Sequence, residues 1–338
     1  APALAPAKIA RPTGKKIGII GTGPASITAA TDLRRYGHSV TMFEALHKAG
    51  GVLMYGIPEF RLPKKIVEAE IQNLRDLGVE IQTNFLAGST RKIHDMLNED
   101  GYDALFIGSG AGLPRFMNIE GENLIGVFAA NEYLTRANLM RAYEKGKAAT
   151  PMMNSKNVAV LGGGNVAMDA ARTAVRLGAE NVYVIYRRTR AEMPARAEEV
   201  DHAEEEGIIF HFLNNPTRIL GDDQQRVNKI ELLKHELGEP DDSGRRRPIP
   251  IPGSEHSLPV DTVIVSIGNN SNPLLIQNTP GLNTNAKGNI KVDDAGRTSL
   301  PGVYAGGDIV LGAATVILAM GQGRVAAKTI NQDVLQDT

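Results

Sequence analysis

The 338-residue chain contains no cysteine and no tryptophan. Without a thiol its own residues cannot form a disulfide, a zinc–thiolate site, a redox Cys-x-x-Cys pair, a cysteine nucleophile or a cysteine-ligated iron–sulfur cluster. Redox chemistry on this chain therefore has to come from a bound cofactor. An excess of charge of either sign is also missing. With 37 Lys and Arg against 38 Asp and Glu the formal net charge is −1, which argues against nucleic-acid binding through a broad basic surface. No run of about 18 apolar residues occurs, and the first residues lack the basic and apolar regions of a signal peptide. No nucleic-acid or membrane partner is expected, and the expected location is the cytoplasm. The seven His (His38, His47, His94, His202, His211, His235 and His256) are scattered with no paired ligand spacing, so no metal site is expected. No Gly-x-Ser-x-Gly elbow suggests a hydrolase.

Glycine is what the chain has in excess, with 36 residues against 18 Pro, and the glycines cluster where a backbone would have to approach a ligand. At about 150 residues per domain the length suggests two domains. The opening APALAPAKIARPTG is Ala- and Pro-rich, lacks an amphipathic period, and reads as an extended linker over residues 1–14. Lys16 to Ile20 is a short apolar strand that runs into Gly21-Thr22-Gly23-Pro24-Ala25-Ser26 and then a helical pattern from Ile27 to Arg35. A second strand, Ser39 to Phe43, ends in Glu44 and Ala45. The acid stands at about the 20-residue offset of a ribose-binding carboxylate. Ser26 takes the third glycine position of the fingerprint, where close helix packing asks for Gly or Ala. Lys64 to Leu77 reads as an amphipathic helix and Val79 to Thr83 as a strand. Tyr102 to Ile107 is a further strand that ends in Gly108-Ser109-Gly110.

The same grammar restarts at Asn157 to Leu161. This strand feeds Gly162-Gly163-Gly164-Asn165-Val166-Ala167, a helix to about Leu177 and a strand from Asn181 to Tyr186. Here the second strand ends in Arg187-Arg188-Thr189-Arg190. An acid at this place holds a free ribose 2′-hydroxyl, whereas Arg accommodates a 2′-phosphate, so NADP is preferred over NAD. Glycine turns between strand and helix also serve tight packing, and a basic cluster is often a solvated face. Two complete units in one chain favour the nucleotide reading. Ile208 to Leu237 alternates as strands with turns at Asn214-Asn215-Pro216 and Gly221-Asp222-Asp223. Gly238 to Pro252 reads as a charged, Pro-rich surface excursion without function, and Glu204-Glu205-Glu206 and Asp241-Asp242 as exposed charge. Asp261 to Ile267 is a buried strand ending in Gly268. Gly302 to Ala305 is a short strand followed by Gly306-Gly307-Asp308 and a long helix from Ala313 to Ile330.

These residues resemble the two-dinucleotide-domain flavoproteins, in particular the small subunit of NADPH-dependent glutamate synthase. The most specific stretches are Gly50 to Lys64, Tyr186 to Arg196 with Met193-Pro194-Ala195, and Ala305 to Gly321. The resemblance implies FAD on the first loop and NADPH on the second. It implies that Gly51, Val52 and Leu53 lie against the flavin, that Arg61 approaches the FAD phosphates and that Gly307 and Asp308 meet the ribityl or pyrophosphate portion. The helix starting near Ala313-Ala314-Thr315 would point its N-terminus at the flavin pyrimidine, where reduction builds negative charge. Arg187 and Arg188, with Arg190, are expected at the NADPH phosphate. Members of this family normally carry a Cys-rich iron–sulfur segment ahead of the matching region, and no cysteine stands here. The expectation is a module that reduces its flavin from NADPH and hands electrons to a small-molecule or protein acceptor, a larger subunit or an iron–sulfur partner. A standalone oxidase and a non-catalytic nucleotide-binding module are the competing readings. Hydride transfer needs alignment more than a protein acid or base, so no catalytic residue is expected. The expected fold is a three-layer α/β protein with two Rossmann-like domains. The FAD domain is discontinuous (15–148 and 270–338) and the NADPH domain (149–269) is inserted into it.

Overall fold

A computed structural model describes residues 9–144, 146–241 and 244–336. Of the expected linker, residues 1–8 lie outside these, as does Asp242. Residues 9–14 are extended but docked, because the Ala10 N–H donates to Arg35 O (2.9 Å) and the Thr13 N–H to Gly37 O (3.1 Å). Contacts divide the chain into two compact units. One holds the described residues through Met54, Glu59–Leu113 and those from Asn269 onward, and the other holds Tyr55–Pro58 and Pro114–Gly268.

The first unit begins with β1 (Lys16–Ile20), α1 (Pro24–Arg35), β2 (Ser39–Phe43), α2 (Lys64–Asp76), β3 (Glu80–Gln82) and β4 (Ala104–Ile107). The strands are apolar at nearly every position because both faces of a parallel sheet are covered. Ile17, Ile19, Met42 and Phe106 fill one face, and Ile20, Phe43, Leu105 and Ile107 the other.

In the second unit β5 (Val127–Ala129), α3 (Ala130–Asn138), β6 (Asn157–Leu161), α4 (Asn165–Arg176), β7 (Asn181–Tyr186), α5 (Ala197–Glu205) and β8 (Ile209–Phe212) come first. β9 (Asn214–Gly221), β10 (Val227–Pro240), β11 (Arg246–Pro250), β12 (His256–Pro259) and β13 (Thr262–Val265) follow. The parallel sheet runs β5-β13-β6-β7-β8, and β9, β10 and β11 form an antiparallel sheet in which β12 also pairs with β10. Val158, Val160 and Val184 face helices α3 to α5, while Leu161, Ile185 and Val263 face Ile219, Ile230 and Leu232 of the antiparallel sheet. Segment 114–148, expected in the first domain, carries β5 and α3 and packs in the second unit. The expected turn at Asn214-Asn215-Pro216 is strand; the corner is Leu213, at φ +57°. The excursion after Gly238 is a hairpin, with Leu237 opposite Pro248 and Pro240 opposite Arg246.

The chain then completes the first unit with β14 (Val303–Ala305), α6 (Asp308–Leu311) and α7 (Val316–Gln336). Its parallel sheet runs β14-β4-β1-β2-β3. α7 packs against α1 at Gly323, where a Cβ would stand 2.1 Å from Ala25 O. Both units are Rossmann-like α/β folds. No helix among the described residues is long and apolar enough to cross a membrane.

Candidate nucleotide sites

In each unit the strand order reverses beside the first strand of the repeat, and ligands of open α/β sheets bind at the carboxyl ends of the strands there. In the first unit that crevice lies between β1 and β4. Gly21 follows β1 at φ +93°, and a Cβ on it would lie 2.6 Å from Gly108 O. In the second unit the crevice lies between β6 and β13. Gly162 follows β6 at φ +140°, and its Cβ would lie 2.2 Å from Ser266 O. Both positions need glycine twice over, for the left-handed backbone and for the neighbouring strand's carbonyl. What remains is a turn of bare backbone leading into α1 or α4, whose first N–H groups have no partner within the helix. Gly23 and Gly164 are the N-caps of these helices, and neither helix has a side-chain cap. The open donors and the positive helix end suit a pyrophosphate.

Several expected residues gather around the first loop. Thr22, which the sequence reading passed over, is its hub. Its hydroxyl donates to Glu44 Oε2 and accepts the Gly50 N–H at 2.9 Å. Glu44 is buried at the end of β2, and its other oxygen accepts the Leu46 N–H at 2.9 Å. A carboxylate offers about four acceptor positions, so lone pairs remain for ribose hydroxyls. Ala45 beside it is exposed. Gly51 sits at φ +54° with its Cβ position 2.7 Å from Gly23 Cα, which brings Gly51, Val52 and Leu53 to the loop. Leu53 O accepts from Lys64 Nζ at 2.9 Å. Arg61 is half-buried ahead of α2. Gly110 has φ +73° and open space where a Cβ would be.

Ser26 is fully buried against Gly108, whose Cβ would lie 2.2 Å from Ser26 Oγ. Close helix–strand approach is kept by placing the glycine on the strand side. Pro24 occupies the first turn of α1, where its missing N–H costs nothing, and Ala25 packs under Gly307 and Gly323. The Gly307 N–H donates to Gln322 Oε1 at 2.7 Å, which holds the β14–α6 turn on α7. Burial pushes the Asp308 carboxyl up to about 6, against the Ala314 N–H that it accepts. The long helix starts later than expected. Ala313 and Ala314 precede it, and the Thr315 hydroxyl accepts the Leu318 N–H at 3.3 Å as its cap.

Around the second loop, Gly163 lies on the Tyr186 ring, with its Cβ position 2.7 Å from the ring carbons. Asn165 Oδ1 accepts the Arg196 N–H at 2.9 Å, and Gly163 O accepts from Ala195 N at 3.1 Å. Val166, in the first turn of α4, is exposed. Gly268 is at φ +99° and its carbonyl accepts the Arg115 N–H. Among the described residues the buried Ser266 Oγ has no hydrogen-bond partner.

The three arginines after β7 differ. Arg187 is exposed and, among the described residues, has no ion pair. Arg188 is buried and paired with Asp241, and Arg190 is held by Asp201 and Glu204. Of the acids expected to be exposed charge, Glu204 and Glu205 are exposed and Asp241 and Glu206 half-buried; Asp241 and Glu204 serve in these pairs, and Glu206 pairs with Arg172 and Arg176. Among the described residues no group of His and acids could hold a metal.

The model of the pyridine nucleotide-disulphide oxidoreductases matches residues 15–323. The chain is 46% identical over 329 residues to the NADP(+)-dependent formate dehydrogenase subunit beta of Moorella thermoacetica, covering 96% of this chain and 45% of that subunit. It is 37% identical over 323 residues to the glutamate synthase [NADPH] small chain of Halomonas elongata, covering 94% and 68%. The chain thus spans under half of the first relative and about two thirds of the second. Among solved structures, Mycobacterium tuberculosis FprA in complex with NADPH superposes with a TM-score of 0.79 at 22% identity, covering 97% of this chain and 85% of that one. The likeness to FprA concerns the fold alone. With glycine loops at both crevices and this match over nearly its whole length, the chain belongs to the pyridine nucleotide-disulphide oxidoreductase family.

Proposed function

We propose that this chain oxidises NADPH with a bound FAD and delivers the electrons to a partner, as the reductase module of a larger electron-transfer enzyme. The observation that carries this reading is the contrast at the ends of the second strands. The unit with Gly21 ends β2 in the buried acid Glu44, suited to a free ribose, whereas the unit with Gly162 ends β7 in the exposed Arg187, suited to a 2′-phosphate. FAD therefore belongs to the first unit and NADPH to the second. Bound FAD supplies hydride acceptance. The chain's residues bind and orient: Gly21, Gly23 and the start of α1 face a pyrophosphate, Glu44 a ribose, and Asp308 a hydroxyl or phosphate of the FAD chain. Thr315 caps a helix whose N-terminal charge favours an electron-rich ring. Arg61 approaches the FAD phosphates.

A dithiol relay is not available to these residues, which include no cysteine. The acceptor is a small molecule, a larger subunit or an iron–sulfur protein, and the relatives' names (formate dehydrogenase subunit, glutamate synthase small chain) favour a subunit. The cytoplasm is the proposed location. The test is the visible spectrum of the purified chain. Yellow protein that NADPH bleaches without air is the expected result. Colourless protein that takes up no FAD, or yellow protein that NADPH leaves unchanged, overturns the reading.

A further inference from the structure

The hairpin β10–β11 extends past the part of β10 that packs on the parallel sheet, and its residues Asp241 and Arg246 are joined to the loop after β7 through the buried Arg188. The first half of β10 pairs with β9 and β12, whereas beyond His235 it pairs only with β11. At that far end the Arg188 guanidinium, 3% exposed, donates from Nε to Arg246 O at 2.7 Å and from Nη2 to Asp241 Oδ2 at 2.5 Å. Arg246 reaches in the opposite direction and donates from Nε to Glu192 Oε1 at 2.5 Å. Glu192 in turn closes a capping box with Thr189, accepting its N–H at 3.1 Å. The Tyr186 hydroxyl donates to Glu192 O at 2.7 Å, and the same ring lies on Gly163. The loop from Arg187 to Met193 is thereby tied to the hairpin at one end and to the glycine turn at the other.

We propose that this hairpin is a coenzyme-specificity clamp: Asp241 and Arg246 fix the loop through Arg188 and Glu192, so that Arg187 is the guanidinium presented to the 2′-phosphate. The proposal rests on the reading of the second unit as the NADPH site. Arg188 is then a positioning residue, because its guanidinium is 3% exposed and its Nε and Nη2 are committed to Arg246 O and Asp241. Arg190 is held by Asp201 and Glu204 on the outer side. Arg187 stands exposed, with the positive charges of Arg188 and Arg245 and the negative charge of Asp241 around it. Partial desolvation by the protein around it and the two neighbouring cations hold its pKa below the usual guanidinium range, and a dianionic phosphate would relieve the repulsion between like charges.

The test compares binding of 2′,5′-ADP and 5′-ADP by calorimetry on the flavin-loaded full chain, a readout independent of turnover. In Asp241→Asn the Kd for 2′,5′-ADP is expected to rise about tenfold and that for 5′-ADP less than twofold, since the loop is loosened while the glycine turn is intact. Asp241→Glu should restore most of the preference. Arg187→Ala should abolish the preference and Arg188→Lys should weaken it only in part. Equal loss of both ligands in Asp241→Asn, or no change in either, overturns the clamp, as does full loss of preference in Arg188→Lys with Asp241→Asn unaffected. A wild-type chain that prefers 5′-ADP, or binds neither, instead overturns the NADPH reading on which the clamp rests.

Discussion

Gly162→Ala is the sharpest perturbation of the second site. The new methyl would stand 2.2 Å from Ser266 O and 2.9 Å from Ser266 C, and both are backbone atoms at the end of a buried strand. Neither atom can swing aside as a side chain would. Reaching ordinary contact requires the strand ends to part by about 1 Å, an overpacking of roughly 1–3 kcal/mol. A non-glycine residue at φ +140° adds about 1–3 kcal/mol of backbone strain. The combined effect is about 2–6 kcal/mol, divided between loss of melting temperature and displacement of the phosphate-facing N–H groups. If about 2 kcal/mol falls on binding, the Kd for NADPH rises about 30-fold. The remainder lowers the melting temperature of that unit by several degrees, at roughly 2–4 °C per kcal/mol. Anaerobic NADPH titration of the flavin absorbance reads the first quantity, and because the proposed FAD site lies in the other unit the protein should stay yellow. Gly21→Ala is the reciprocal case. Its methyl would meet Gly108 O at 2.6 Å, and the purified protein should be depleted of FAD. Unaltered NADPH affinity and melting in Gly162→Ala would refute the steric argument. Loss of FAD in Gly162→Ala would show that the two coenzymes have been assigned to the wrong loops.

Gly323→Ala places a methyl 2.1 Å from Ala25 O and should lower stability by about 1–3 kcal/mol while loosening FAD, read as earlier release of flavin fluorescence on heating. Arg172→Met removes a cation that pairs with Glu199 and one of the two that pair with Glu206, and should destabilise the second unit by roughly 1–3 kcal/mol in urea unfolding. Asp308→Asn isolates a pH effect in the FAD-free protein. The native carboxyl titrates at about 6, above its unfolded value, so its contribution to stability is complete below the ordinary carboxylate range and is lost as pH rises through 6. Relative to the variant, the native protein should therefore lose stability between about pH 4 and 7, by roughly 1–2 kcal/mol after allowance for solvent screening. A difference that is flat with pH would show that the carboxyl is not raised.

The two nucleotide units were legible because each rests on local signals. Lys16–Ile20, Ser39–Phe43, Asn157–Leu161 and Asn181–Tyr186 are apolar runs bounded by glycine or charge, and the structure has strands at those residues. Short strands such as β5 escaped notice, since Val127–Ala129 is too brief to show a period and gains its identity only from pairing with β13. The helix Ala130–Asn138 does carry a helical spacing of buried residues, at Ala130, Tyr133, Leu134 and Ala137, that a closer reading of the pattern could have found. The glycine and acid positions of the sites were readable from spacing, but the states of the arginines were not. Arg187, Arg188 and Arg190 look alike in sequence and differ only in partners 11 to 58 residues away. Thr22 and Gln322 hold the first site through side-chain bonds across 28 and 15 residues, and no local pattern marks such pairs.

The contact of Ser26 with Gly108 bears on how dinucleotide fingerprints evolve. The space between helix and strand admits one small side chain, and here the helix contributes it. A lineage can therefore exchange the hydroxymethyl and the hydrogen between these two positions, provided the strand residue changes in step, and motif searches that score the helix position in isolation will undercount such sequences.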